Sequence, residues 1–131
     1  SQILLVGNRG KVKLQTCAHS PVGFAVESGM LSEADGMHHE DRHIVSNVIG
    51  ARDCRIEIGS RRKISRRDTL LIGSDGVFDN LQVDEIAELI RKGPLSDAAR
   101  DLFNQIWQRM AGSDEAHPCK PDDVTFILFR L

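Results

Sequence analysis

Two short acidic segments, Ser74-Asp75-Gly76-Val77-Phe78-Asp79-Asn80 and Pro121-Asp122-Asp123-Val124-Thr125, have the residue types and spacing to do chemistry. Each places carboxylates at one end of an apolar run. Thr69-Leu70-Leu71-Ile72-Gly73 leads into the first, and Phe126-Ile127-Leu128-Phe129 follows the second. Runs of this length bounded by turn residues suit central strands. A carboxylate at the mouth of a buried strand is held rigidly and partly desolvated, as a site for a hard divalent cation requires. Asp75 and Asp79 lie four apart, so one helical turn puts them on one side. Gly76 leaves room for an ion or its waters to approach. Carboxylates without neighbouring Cys or His suit Mg²⁺ or Mn²⁺ better than zinc. Taken singly, Ser-Asp-Gly is also an ordinary turn and Asp122 an ordinary strand end. The two motifs together are the more specific signal.

Two further patterns compete. His39-Glu40-Asp41-Arg42-His43 matches H-E-x-x-H, in which two imidazoles on one helical face hold zinc and Glu40 serves as general base of a metallohydrolase. Its surroundings favour extended chain, because Gly36 precedes it and the β-branched run Ile44-Val45-Ser46-Asn47-Val48 follows. A polar, histidine-rich surface is the plainer reading. The basic run from Arg61 to Arg67 holds five Lys and Arg residues. It reads either as a solvated hairpin tip or as a docking patch for acidic partners.

The elements that must position these residues follow from periodicity. Ile3–Val6, a Gly7-Asn8-Arg9-Gly10 turn and the alternating Lys11–Thr16 arm predict a β-hairpin. Residues 17–50 hold four glycines and four of the five histidines with no clean period. They predict a long flap, with a short helical piece around Val22–Met30 and with Glu40 to Arg42 mainly exposed. Cys54–Ile58 alternates and predicts a strand leading to the basic tip. Val83, Ile86, Ala87 and Ile90 form a helical stripe, with Asp84 and Glu85 in its first turn and Arg91 and Lys92 in its last. Gly93-Pro94 stops that helix. Ser96 is placed to cap a second one that carries Ala99, Leu102, Phe103, Ile106, Trp107 and Met110 on its buried face. The helices span about 81–92 and 97–111. Strands, two helices and a strand predict an α+β fold with helices on one face of a mostly antiparallel sheet.

With these residues in place, the chain resembles the metal-dependent, type 2C-like protein serine/threonine phosphatases. Leu70-Leu71-Ile72-Gly73-Ser74-Asp75-Gly76 resembles their strand-then-Asp-Gly signature, and Pro121–Leu128 their terminal Asp-Asn-x-Ser/Thr strand. Asp84-Glu85-Ile86 matches an acidic helix start, His19-Ser20 the end of an Asp-His-Ser stretch, and His43–Gly50 a further conserved-type segment. The resemblance implies a β-sandwich with helices outside both sheets, an α-β-β-α fold of which residues 1–131 form the C-terminal portion. It implies hydrolysis of phosphoserine and phosphothreonine in proteins at a binuclear Mn²⁺ or Mg²⁺ centre, joined in some members by a third ion. Asp75 and Asp122 would be ligands of the binuclear centre, Asp79 would help hold the third ion, and Gly76 would lie against the bound group. Asp123 stands where the family usually has Asn, and Ala18 where it has Asp. The metal-bridging acidic residues belong to an N-terminal half with no counterpart here. The chain alone is therefore expected to be inactive, with no catalytic side chain of its own. Its expected partners are a phosphorylated protein substrate, the N-terminal half, and a second copy in a homodimer. A catalytically inactive, phosphatase-like regulatory or interaction module is the alternative from another class, and the zinc metallohydrolase a third reading.

Composition bounds these readings. The chain has 131 residues, 40% hydrophobic and 27% charged, with a formal net charge of −2. This is one globular domain's worth, and not the basic profile of a nucleic-acid binder. No apolar stretch approaches the roughly 18 residues of a membrane span. Cys17, Cys54 and Cys119 are scattered and odd in number, so a reducing, cytoplasmic setting is expected.

Overall fold

The computed structural model describes residues 1–112 and 119–131. The chain folds as two compact units. Residues 1–16 and 64–131 form the sheet unit, and residues 17–63 the inserted unit.

The sheet unit is α+β. Strand β1 is Gln2–Val6 and β2 is Val12–Gln15. Helices α1 (Pro21–Glu27) and α2 (Glu33–His38) belong to the inserted unit. The sheet unit continues with β3 (Thr69–Gly73), α3 (Asp75–Phe78), α4 (Val83–Ile90), α5 (Leu95–Ala111) and β4 (Phe126–Phe129). The sheet order is β2-β1-β3-β4 and every pairing is antiparallel. The hairpin forms across Gly7–Gly10, where Gly7 N–H donates to Lys11 O at 2.9 Å.

Register explains the core. Leu4 pairs with Leu71, which pairs with Leu128, so these side chains share one face. That face receives Ile86, Ala87 and Ile90 from α4 and Leu102 and Ile106 from α5. Each fully buried aliphatic side chain contributes about 1.5–3 kcal/mol of burial. The start of β3 is tied to the end of α4 by Thr69, which is fully buried and donates through Oγ1 to Ile90 O at 2.9 Å. Arg130 reinforces the joint by donating to Ile90 O at 2.8 Å and to Gly93 O at 2.5 Å. A cation is well placed there, at the carbonyl end of a helix. Gly93 takes φ +81°, the left-handed conformation that ends α4 without a Cβ clash.

The second helix departs from the sequence expectation at two points. It begins at Leu95 after Pro94, with no side-chain cap from Ser96. Ser96 falls inside the first turn and not ahead of it, so it is not the cap residue. Phe103 and Trp107 were expected on the buried face but are 47% and 64% exposed, stacked on each other with centroids 6.3 Å apart. The face that packs inward is the one carrying Ala98, Leu102 and Ile106.

The other face of the sheet is also apolar. Ile72 pairs with Ile127, and Leu70 with Phe129. Ile72, Ile127 and Phe129 are exposed.

The inserted unit contains α1 (Pro21–Glu27), α2 (Glu33–His38) and a single 3-10 turn, Glu40–His43. A polar side chain starts each. Ser20 Oγ accepts from Gly23 N–H at 2.9 Å, Ser32 Oγ from Asp35 N–H at 3.1 Å, and His39 Nδ1 from Asp41 N–H at 3.1 Å. Among the apolar side chains of this unit only Val22 is buried. Glu40 is exposed, but Asp41 and Arg42 are half-buried, contrary to expectation, and the Arg42 guanidinium donates to Met37 O. The strand expected over Cys54–Ile58 does not form. Asn47 occupies the backbone near its start, donating through Nδ2 to Arg55 O at 2.8 Å and accepting through Oδ1 from Arg55 N–H at 3.0 Å. Those are the groups a neighbouring strand would use. Without that strand there is no hairpin tip, and Arg61, Arg62, Lys63, Arg66 and Arg67 lie exposed along irregular chain. Among the described residues, no helix is long and apolar enough to cross a membrane.

Candidate metal centre

The two acidic motifs meet at one end of the β3–β4 pair. Ser74, just past β3, stitches them together. Its N–H donates to Thr125 O at 2.9 Å, and its Oγ accepts from Thr125 N–H at 3.1 Å. The chain then turns into α3, whose Val77 and Phe78 are buried and fix the turn on the core. Asp75 sits at the first position of α3 and Asp79 caps its end, where Asp79 N–H donates to Asp75 O at 2.7 Å. Gly76 between them is obligatory on packing grounds. A Cβ there would collide with the Asp123 carbonyl oxygen.

Asp122 reaches the same place although 47 positions separate it from Asp75. Asn80 delivers it. This side chain is fully buried. It donates to Gly76 O and Lys120 O, each at 2.9 Å, and accepts from Lys120 N–H at 2.8 Å. The amide thereby pairs with Lys120 as a strand residue would, and Asp122 follows two positions on. Oxygens of Asp75, Asp79 and Asp122 lie within 4.8 Å of one another. No other set of three or more potential metal-binding side chains is brought together among the described residues.

Lys120 supplies the local counter-charge. Its Nζ lies 2.6 Å from Asp79 Oδ2 and 3.2 Å from Asp122 Oδ2. The hydrogen bond to Asp79 and the neighbouring carboxylates hold its ammonium above the usual lysine range, despite partial burial. Asp122 is held below the usual carboxylate range, first by the Asp123 N–H that donates to Oδ1 at 2.8 Å and then by Lys120. Three carboxylates against one ammonium leave two formal negative charges. An all-oxygen donor set with that residual charge fits a hard divalent cation.

The remaining sequence candidates lie elsewhere. Asp123 turns its backbone, not its carboxylate, into the joint: its carbonyl accepts from Ser74 Oγ at 3.3 Å. Glu85 is bound to Arg109 Nη2 at 2.7 Å and to Gln82 N–H at 2.9 Å, at the start of α4. In the inserted unit, His19 Nδ1 lies 2.7 Å from Asn47 Nδ2, and Ser20 caps α1. The H-E-x-x-H pattern does not build its helix. His39 precedes the 3-10 turn as its cap, and His43 Nδ1 lies 2.9 Å from Glu40 O. Asn80 and Lys120 received no role from the sequence. The only signal is position: Asn80 closes the first acidic motif and Lys120 immediately precedes the second.

No family model matches the chain, and no curated protein matches it. Solved structures do. A serine/threonine phosphatase from S. agalactiae is 27% identical over 83% of this chain and 45% of its own, with a TM-score of 0.69. The serine/threonine phosphatase of Staphylococcus aureus is 25% identical over 100% of this chain and 48% of its own, with a TM-score of 0.74. A PPM Ser-Thr phosphatase from Mycobacterium smegmatis, solved with cacodylate, shares the fold at 23% identity and a TM-score of 0.68, over 98% of this chain and 50% of its own. The fold is therefore that of the PPM-type serine/threonine phosphatases. The chain spans about half the length of these structures, and it resembles the C-terminal portion of their domain.

Proposed function

We propose that this chain is the C-terminal portion of a metal-dependent protein serine/threonine phosphatase domain. In this reading Asp75 and Asp122 hold divalent ions of a binuclear Mn²⁺ or Mg²⁺ centre. Asp79 helps hold a further ion, and Gly76 lets the bound groups approach the backbone. The observation that carries the reading is the convergence of Asp75, Asp79 and Asp122 on a phosphatase fold, although Asp122 lies 47 positions beyond Asp75. Metal of this kind, when bound, supplies an activated water and charge neutralisation for in-line attack on a phosphate ester. The chain's own residues do the positioning. Asn80 and Ser74 fix the distance between the motifs, and Gly76 keeps the Asp123 backbone close.

The bridging acidic ligands lie outside this chain, so it alone binds Mn²⁺ weakly and hydrolyses p-nitrophenyl phosphate at background rate. Calorimetry with Mn²⁺ tests the reading: binding is expected, and loss of it in Asp75→Asn and in Asp122→Asn. Absence of Mn²⁺ binding by the folded chain sinks the assignment. Robust turnover by the 131-residue chain, abolished by Asp75→Asn, would show that its site is more complete than proposed.

The exposed Ile72, Ile127 and Phe129 favour a partner on the outer face of the sheet. In a complete domain we assign that place to the N-terminal half. The isolated chain is expected to self-associate there as a homodimer, visible by sedimentation at micromolar concentration. A strictly monomeric chain would remove this assignment. A phosphorylated protein is the proposed substrate and the cytoplasm the proposed location.

A further inference from the structure

Lys120 is the one cation seated among the three carboxylates in the described structure, and its position is built rather than incidental. Its backbone N–H and carbonyl are both bound by the buried Asn80 side chain, at 2.8 and 2.9 Å. With the main chain anchored, the side chain needs only to extend to put Nζ between Asp79 and Asp122, at 2.6 and 3.2 Å. The Lys120 side chain is only a quarter exposed, and that of Asp79 slightly less. Those two carboxylates are also two of the three that the metal reading requires.

Resting on that reading, we propose that Lys120 is a tethered counter-cation that sets the affinity and selectivity of the acidic cluster. Its ammonium has to leave Asp79 and Asp122 before those oxygens are free to hold an ion. Uptake is thus an exchange, not an addition. A tether on the anchored backbone keeps the ammonium at high effective concentration. A monovalent ion of equal charge gains nothing by replacing it. A divalent ion gains twice the attraction at the same distance. Lys120 therefore selects for dications and weakens their binding, while holding the carboxylates together in the metal-free chain. Lys120 acts through the ligands and is a positioning residue, not a catalytic one.

The experiment is Mn²⁺ binding to the 131-residue chain, read by calorimetry and by the electron paramagnetic resonance signal of free Mn²⁺. Neither readout depends on turnover. Lys120→Gln keeps the backbone pair with Asn80 and removes the charge. It is expected to bind Mn²⁺ about tenfold more tightly than the parent chain. Its melting temperature in chelator should fall, and added Mn²⁺ should restore it. Lys120→Arg keeps the charge and should bind within about twofold of the parent. Equal or weaker Mn²⁺ binding by Lys120→Gln overturns the proposal. If Asp122→Asn abolishes binding in the same series, the metal reading survives that failure. If neither the parent chain nor Lys120→Gln binds Mn²⁺ while both remain folded by circular dichroism, both readings fall together.

Discussion

Asn80 and Asn47 make the same pair of bonds in the two units. Each amide donates to one residue's carbonyl and accepts from that residue's N–H, Lys120 for Asn80 and Arg55 for Asn47. The surroundings differ. Asn80 is fully buried beside Val77, Leu81 and the rest of the apolar core, and it spends its second proton on Gly76 O. Asn47 is half-exposed, lies 2.7 Å from the His19 ring, and holds a partner that is itself exposed. In low dielectric, with every proton used, the device fixes two carboxylate-bearing motifs to within ångströms. At the surface of a unit with one buried apolar side chain, the same bonds order a loop. A side-chain hydrogen bond is worth what the packing around it makes it worth.

That comparison can be broken at several points. The largest effect is expected from the apolar core of the sheet unit. Leu71→Ala should lower stability by about 3–4 kcal/mol in urea titration, because Leu71 is completely buried against two helices. A loss below about 1 kcal/mol would mean that the sheet unit is no better packed than the inserted one. Next, Asn80→Ala should cost about 2–3 kcal/mol by leaving buried backbone groups unpaired. The matching Asn47→Ala should cost about 0.5 kcal/mol, with water replacing the amide. Similar losses for both would erase the contrast.

A smaller effect concerns Asp68, a buried carboxylate of the sheet unit. Lys13 Nζ reaches its two oxygens at 2.7 and 2.8 Å, and Ser65 N–H donates to it at 2.9 Å. The Lys13 hydrogen bond, followed by that of Ser65, holds the carboxyl below the usual range. A depressed native pKa stabilises the fold above the unfolded value of about 3.9. That contribution is lost as pH falls from there through the lower native value. Asp68→Asn should therefore cost about 2 kcal/mol at pH 7, discounted because Lys13 is partly exposed, and much less at pH 2. An equal cost at both pH values would assign the effect to packing instead. The smallest effect belongs to the inserted unit. The double change His39→Ala and His43→Ala should leave zinc uptake unchanged by atomic absorption, since the two imidazoles serve local backbone groups.

How much was legible in the sequence follows the same division. In the sheet unit, local patterns and tertiary packing agree. The runs Thr69–Gly73 and Phe126–Phe129 become paired strands, and the Val83–Ile90 stripe becomes α4. The acidic motifs could be placed because they begin and end those strands. The roles of Asn80 and Lys120 are not legible in sequence because their bonds cross forty positions, and no periodicity reports a side chain that imitates a strand. Phe103 and Trp107 shared a helical stripe with core residues, yet only the Ala98, Leu102 and Ile106 side of it is covered. In the inserted unit, Cys54–Ile58 had the alternation of a strand but no neighbour. Alternation specifies which face would be buried, not whether a partner exists.

The Asn80–Lys120 pair also has a consequence for chain length. It closes a ring of forty positions with one amide, and α4 and α5 both lie inside that ring. The placement of Asp122 is set where the ring closes, not by the length of chain that leads there. The entropy of closing such a ring grows only with the logarithm of its size, about 0.6 kcal/mol for a doubling. Lengthening the ring outside its helices should therefore cost well under about 1 kcal/mol in urea titration, with Mn²⁺ affinity unchanged.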